Sequence, residues 1–164
     1  MLRWFWVYIG CIVAANLLHV TFGFVPIGFG LTASAGVYGA GLAFTARDML
    51  QETLGRQATV VAILIGAVLS AMLSPALGVA SGVAFLIAES LDFAVYTPLR
   101  ERRWLTAVVL SNTVGAAADS ALFLWLAFGS VDLWVGQTVG KLWMTALVIP
   151  LVWYLRRRRR TSSR

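Results

Sequence analysis

The chain has 164 residues, of which 60% are hydrophobic and only 12% are charged, and its formal net charge is +6. Soluble globular domains carry about 25% charged residues, so this composition excludes an ordinary soluble domain and indicates a membrane protein. The length suffices for one bundle of membrane-spanning helices and is too short for two.

Six apolar stretches are each long enough to cross a hydrocarbon core of about 30 Å, which requires about 20 helical residues. They cover residues 4–24, 31–54, 57–75, 78–98, 104–128 and 133–155. The sequence therefore predicts an all-α, polytopic membrane protein. We expect one six-transmembrane-helix bundle over residues 1–155, followed by a basic tail over residues 156–164. The first stretch exceeds the roughly 7–15 apolar residues of a signal peptide, so we expect a retained helix.

The basic residues predict the orientation of this bundle. Alternate connections on one face receive Arg3, Arg56, Arg100, Arg102, Arg103, the run Arg156 to Arg160, and Arg164. The connections near residues 25–30, 75–78 and 129–132 receive no Lys or Arg. The positive-inside rule then places both termini in the cytoplasm, as expected for a multi-pass protein of the cell inner membrane. We interpret the basic tail as an orientation signal that also attracts anionic membrane lipids. We expect no nucleic-acid partner.

Ionisable side chains lie inside the predicted helices, where each charge costs about 2.5–3.5 kcal/mol and so requires an explanation. The acids are Asp48, Glu52, Glu89, Asp92 and Asp119, and the bases are Arg47 and Lys141. This excess of acids is relieved if some carboxyls are protonated, or if a cationic or donor-rich substrate binds. Both explanations indicate a polar cavity and therefore transport. Two structural alternatives remain open: an interfacial pair of Glu52 with Arg56, and interhelical hydrogen bonds for Asn16 and His19.

Catalytic chemistry finds little support in the chain. The single His and the single Cys cannot build a metal site unaided, and no glycine-rich phosphate loop or Ser–His pair is recognisable. We therefore expect a protein that is not an enzyme and that needs no cofactor or metal. Two GxxxG motifs, Gly78 with Gly82 and Gly136 with Gly140, indicate close helix packing, either within one chain or in a homo-oligomer.

Three blocks of residues together resemble a known family. They are residues 48–56, residues 88–92 continuing to Tyr96 and Arg100, and Ser111-Asn112 with Asp119-Ser120 and Phe123. In order and spacing they are similar to the queuosine precursor transporter family, also called the vitamin uptake transporter family. Lys141 followed by Pro150 also fits. The resemblance covers the predicted helices two to six, although the chain is shorter than expected for a member.

This resemblance implies six helices and the uptake of 7-deazaguanine bases across the inner membrane for tRNA modification. Such a base presents a ring N–H beside an exocyclic amine, and one carboxylate can accept both. Glu89 is the first candidate for this contact, with Asp92 and Asp119 as alternatives. The rings of Trp143, Phe85 or Phe44 can stack on the heterocycle. The remaining candidates for substrate binding are Asn112 and Gln137, which can satisfy the carbonyl of the base, and Asp48, Glu52, Lys141 and Asn16.

Three alternatives concern the activity rather than the residues. The chain can act as a self-contained carrier, or as the substrate-binding subunit of an energy-coupling-factor type vitamin transporter. The third alternative is that the chain is a membrane scaffold protein that transports nothing. For a carrier, proton coupling through Asp119 or Glu52 and facilitated diffusion followed by metabolic trapping are both open.

Overall fold

The computed structural model describes residues 2–73 and 77–162, with side chains described as far as Tyr154. In chain order the elements are α1 (Arg3–Phe22), β1 (Phe24–Gly28), β2 (Leu31–Ser34), α2 (Val37–Leu73), α3 (Gly78–Leu99), α4 (Trp104–Phe128) and α5 (Trp134–Ser162). Part of the predicted connection near residues 75–78 lies outside the described residues. So do Arg164 and the side chains of the run Arg156 to Arg160.

The described part of the chain contains five helices, so the predicted six-helix bundle is wrong. The predicted second and third spans, residues 31–54 and 57–75, fall largely within the single element α2. Both termini were placed in the cytoplasm because six crossings were expected, and this helix count does not support that step. All five helices are long and apolar enough to cross a membrane.

The reason for the miscount is a bend inside α2. Gly55 adopts φ 82° and ψ −179°, a conformation essentially restricted to glycine. Ala43 before the bend and Ala62 after it belong to one buried apolar cluster against α1. A straight helix would hold these two residues about 28 Å apart. Residues 37–54, the first arm of α2, therefore lie beside residues 56–73, the second arm.

A β-hairpin occupies residues for which a loop and the start of a helix were predicted. β1 and β2 pair antiparallel, with Phe24 opposite Ser34. The turn between them uses positive φ angles at Gly28, Phe29 and Gly30, which a helix cannot accommodate. Residues 31–34 are therefore strand rather than helix, because a short apolar run does not distinguish the two by periodicity.

The molecule carries its charges inside and its apolar side chains outside. Val68 and Leu147 are 59% and 69% exposed, whereas Arg47 and Glu89 are fully buried. Exposed apolar side chains are unfavourable in water and favourable in the hydrocarbon core of a lipid bilayer. The chain is a multi-pass membrane protein, as predicted.

Both glycine motifs pack within the chain. A side chain at Gly78 or Gly82 would collide with Ala71 of the second arm of α2, and one at Gly136 would collide with the backbone of Thr32 in β2. These small residues let α3 approach α2, and let α5 approach the hairpin, at short range.

Candidate functional site

A cavity opens among the helices at the end of the bundle that carries β1 and β2, called here the hairpin end. The cavity and the solvent-filled space at its mouth together enclose about 650 Å³ of non-atom space. The opposite end, which carries Arg56 and Arg100 to Arg103, is called the basic end. The polar residues that line the cavity are Asn16, His19, Ser34, Ser70, Ser81, Asp119, Gln137 and Lys141.

An ion pair between α4 and α5 forms one wall of the cavity. Lys141 Nζ donates to Asp119 Oδ2 and to Ser120 Oγ, both at 2.7 Å. Both residues line the cavity, and the Asp119 side chain is the more exposed of the two, at 16% against 4% for Lys141. Asp119 Oδ1 has no hydrogen-bond partner among the described residues. The pair therefore offers a charged acceptor whose position is set by a buried lysine.

Amide and hydroxyl groups supply further donors and acceptors. Gln137 is buried, and its Nε2 has no partner within the described part of the chain. Asn16 donates to the carbonyl of Ile12 at 2.9 Å. The ring nitrogen Nδ1 of His19 lies 2.8 Å from Ser34 Oγ. The cavity thus combines one accessible carboxylate with neutral polar groups from α1, β2 and α5.

Aromatic rings line the same space. Phe85 of α3 and Phe123 of α4 both face the cavity. The rings of His19 and Phe123 meet edge to face, with centroids 6.4 Å apart, and Tyr8 and Phe85 lie 6.3 Å apart. Flat apolar walls next to polar edge groups suit a planar, polar ring.

Arg47 forms the centre of a buried ionic cluster with Asp48, Glu89 and Asp92, which lies nearer the basic end than the cavity does. Its Nε is 3.1 Å from Glu89 Oε2 and one terminal nitrogen is 2.9 Å from Asp48 Oδ1, while the other contacts Asp92 Oδ1. All four side chains have no exposure to solvent. With one guanidinium and three carboxylates, the ionic cluster has a formal charge of −2 when fully ionised.

A second layer of contacts separates the ionic cluster from the basic end. The guanidinium carbon of Arg47 lies 5.6 Å from the centroid of the Tyr96 ring. The Tyr96 hydroxyl donates to Glu52 Oε1 at 3.1 Å, and Arg100 approaches the same oxygen at 3.7 Å. α2 and α3 are therefore joined by polar contacts from the ionic cluster to the basic end.

The structure places the eleven predicted binding residues in three groups. Five line the cavity: Asn16, Phe85, Asp119, Gln137 and Lys141. Three belong to the ionic cluster: Asp48, Glu89 and Asp92. The three that lie elsewhere are Glu52, Asn112 and Trp143.

Asn112 and Trp143 make contacts away from the cavity lining. Asn112 is fully buried and donates to Thr45 Oγ1 at 2.9 Å and to Thr145 Oγ1 at 3.0 Å, which joins α4 to α2 and α5. Trp143 is 42% exposed and stacks on Phe29 of the hairpin turn. The alternative stacking residue Phe44 is buried in the apolar core with Ala88 and Ala116.

Sequence reasoning missed several residues that matter to this arrangement. Arg47 was counted as a base but left out of the site, and its role as a hub depends on contacts between distant segments. His19 was placed on one helix face with Asn16, but it was interpreted as an interhelical hydrogen-bond partner and was left out of the site. Ser34 could not be found, because it fell inside a segment predicted to be a helix.

The comparison with known families decides the wider class. The family whose description reads "Putative vitamin uptake transporter" matches residues 71–155, just over half of the chain. The chain belongs to this family. The vitamin uptake transporter family was the resemblance found from the sequence, and the match confirms it. No curated protein and no solved structure gives a significant match.

Membership of the vitamin uptake transporter family assigns the chain to membrane transporters. The matched segment contains α3, α4 and α5 as far as residue 155, and with them Glu89, Asp92, Asp119 and Lys141. It leaves out α1, the hairpin and most of α2. Six of the sixteen residues that line the cavity lie in the matched segment, and the other ten lie outside it.

Proposed function

We propose that this protein imports queuosine precursors, which are 7-deazaguanine bases, across the inner membrane for tRNA modification. The observation that carries the proposal is the cavity at the hairpin end, where a carboxylate, an unpartnered amide and two phenyl rings line the same space. Family membership supports uptake of a small molecule, and the chemistry of the lining favours a planar base with hydrogen-bond donors on its edge.

Asp119 is the acceptor we propose for that edge. Glu89 led the candidates from the sequence, but its carboxylate is sealed in the ionic cluster on Arg47. Asp119 is the acid that lines the cavity, and a ring N–H with a neighbouring amine can donate to one carboxylate. Gln137 is suited to the carbonyl of the base, because a buried amide without a partner gains a hydrogen bond when the ligand enters.

The two phenyl rings would bound the faces of the bound base. Phe85 and Phe123 come from different helices and both line the cavity. Stacking or edge contact with an aromatic ring contributes about 0.5–1.5 kcal/mol beyond the area buried. Two flat apolar rings in the lining suit the faces of a planar heterocycle.

The position of the cavity fits import. By the positive-inside rule, the connection that carries Arg100 to Arg103 faces the cytoplasm. The cavity then lies in the outer half of the bundle, and the ionic cluster and the contacts of Tyr96 lie between it and the cytoplasm. A carrier that admits its substrate from the outside needs a site in this half.

Complementation tests the proposal directly. The gene is expressed in a cell that can neither make nor import the precursor, and queuosine in tRNA is measured at low external precursor. We expect queuosine to be restored by the wild type and by Asp132→Asn, whose acid lies on an exposed loop, and to be largely lost with Asp119→Asn. If the wild type, shown to be in the membrane, restores no queuosine, the substrate assignment is wrong.

The same assay separates the other two activities. Restoration in a strain without energy-coupling modules would show that the chain works alone, and restoration only with such modules would show a substrate-binding subunit. A scaffold predicts that Asp119→Asn changes complex formation and leaves solute flux unchanged.

A further inference from the structure

The ionic cluster has a charge that the surrounding structure does not balance. Arg47 neutralises one of the three carboxylates, and none of the four side chains is exposed. A sealed excess of negative charge is costly in a medium of low dielectric, so the site favours an added positive charge. We propose that the ionic cluster is the proton-binding site whose loading and unloading drives uptake. This inference rests on the proposed transport of 7-deazaguanine bases.

The geometry favours protons over a metal ion. The three acids meet three different nitrogens of Arg47, and no group of His, Cys, Asp and Glu in the described residues converges as metal ligands would. Asp48 Oδ2, Glu89 Oε1 and Asp92 Oδ2 have no hydrogen-bond partner among the described residues. Each is an oxygen that can take a proton while its neighbour, or the same carboxyl, keeps its contact with Arg47.

An independent side chain also points into the ionic cluster. The Tyr8 hydroxyl is fully buried, faces Glu89, and has no hydrogen-bond partner of good geometry in the described part of the chain. The hydroxyl can donate to Glu89 while that acid is ionised and can accept from it once the acid is protonated. Tyr8 is therefore a polar group on α1 that can serve Glu89 in both protonation states.

Charged and titratable groups face the ionic cluster from the elements packed around it. They are Tyr8 from α1, Arg47, Asp48 and Glu52 from α2, Glu89, Asp92 and Tyr96 from α3, and Asp119 from α4, with Lys141 from α5 paired to Asp119.

Proton binding also has a mechanical consequence. Arg47 belongs to the first arm of α2, whereas Glu89 and Asp92 belong to α3, so these ion pairs join the two elements on the cytoplasmic side of the cavity. Each carboxylate that gains a proton becomes a neutral carboxyl, and its attraction to the guanidinium falls. Loading from the outside thus weakens the inner closure, and release of the same protons to the cytoplasm restores it.

Transport by the purified full chain in liposomes tests this inference, with a radiolabelled, uncharged 7-deazaguanine base as the probe. For the wild type, acid outside should drive accumulation of up to about tenfold per pH unit for each coupled proton, and a protonophore should abolish it. Glu89→Gln, which mimics a carboxyl that cannot release its proton, should retain exchange of internal for external base and lose the accumulation. Glu101→Gln, on the exposed connection after α3, should retain both.

The outcomes separate the two proposals. Wild-type exchange without any effect of the pH gradient, accumulation driven by sodium instead, or full accumulation by Glu89→Gln would each overturn the proton site and leave the substrate assignment intact. Absence of both binding and exchange in the wild type would overturn the substrate assignment. If Glu89→Gln does not fold, the wild type still decides: entry of the base should make a weakly buffered external medium more alkaline, and no such change refutes proton coupling.

Discussion

Arg47→Met is the substitution that tests the ionic cluster most sharply. Methionine keeps a long, flexible side chain but removes all three contacts to the buried acids. Removing one partner of a buried ion pair costs about 3–5 kcal/mol. The cost in unfolding free energy can also be worked out from protonation, because the folded variant must bind one more proton than the folded wild type. Protonating a carboxyl of reference pKa near 4 costs about 4 kcal/mol at pH 7, so the two estimates agree.

The pH dependence follows with a definite sign. The folded variant binds one more proton than the folded wild type, so its stability relative to the wild type falls as the pH rises, by about 1.4 kcal/mol per unit. We expect a loss relative to the wild type of about 4 kcal/mol at pH 7 and about 1.4 kcal/mol at pH 5. Reversible unfolding by dodecyl sulfate in mixed micelles measures the free energy of unfolding at both pH values.

Arg100→Met is the matched control for this measurement. Arg100 approaches Glu52 at 3.7 Å, and the two side chains are 18% and 22% exposed. A partly exposed pair contributes about 0–1 kcal/mol, so its loss should be small and nearly independent of pH. If Arg47→Met unfolds like the wild type at pH 7, or if its cost does not shrink on acidification, the acids are not held as described.

Three further predictions concern the bend, the cavity wall and the hairpin. Gly55→Ala should cost about 1–3 kcal/mol of unfolding free energy, because its backbone conformation is essentially restricted to glycine, whereas Gly10→Ala, with open space around it, should not destabilise the fold. Gly41→Ala should destabilise by about 1–3 kcal/mol and reduce uptake, because the added methyl meets the backbone of Lys141; unchanged uptake would argue against this wall. Trp143→Ala should leave binding of the base unchanged in an equilibrium assay, because the ring stacks on Phe29 outside the cavity lining; weaker binding would restore Trp143 to the site.

The sequence predicted the membrane class and most helix positions because apolar length is a local property. α3 and α4 begin and end within a residue or two of the predicted spans. The helix count failed because a single glycine bends α2 without a loop, and the hairpin failed because a short apolar strand resembles the first turns of a helix. Both errors come from backbone conformations at a few glycines, which composition does not reveal.

The candidate site was partly predictable for a different reason. Charges inside apolar helices identified Asp119 and Lys141, whose pairing across α4 and α5 the structure shows at 2.7 Å. The division of the acids between a cavity and a sealed cluster was not predictable. Helical spacing predicts that Glu89 and Asp92 share one face of α3. It does not predict that Arg47, from α2, packs against that face.

Binding of a radiolabelled 7-deazaguanine base to the purified chain tests most directly whether the cavity at the hairpin end is the substrate site. We predict saturable binding at one site per chain, weakened by at least about tenfold in Asp119→Asn, since a hydrogen bond to a charged group contributes about 1.5–3 kcal/mol. Asp132→Asn should bind like the wild type. Equal binding by Asp119→Asn, or no saturable binding by the folded wild type, would contradict the assignment.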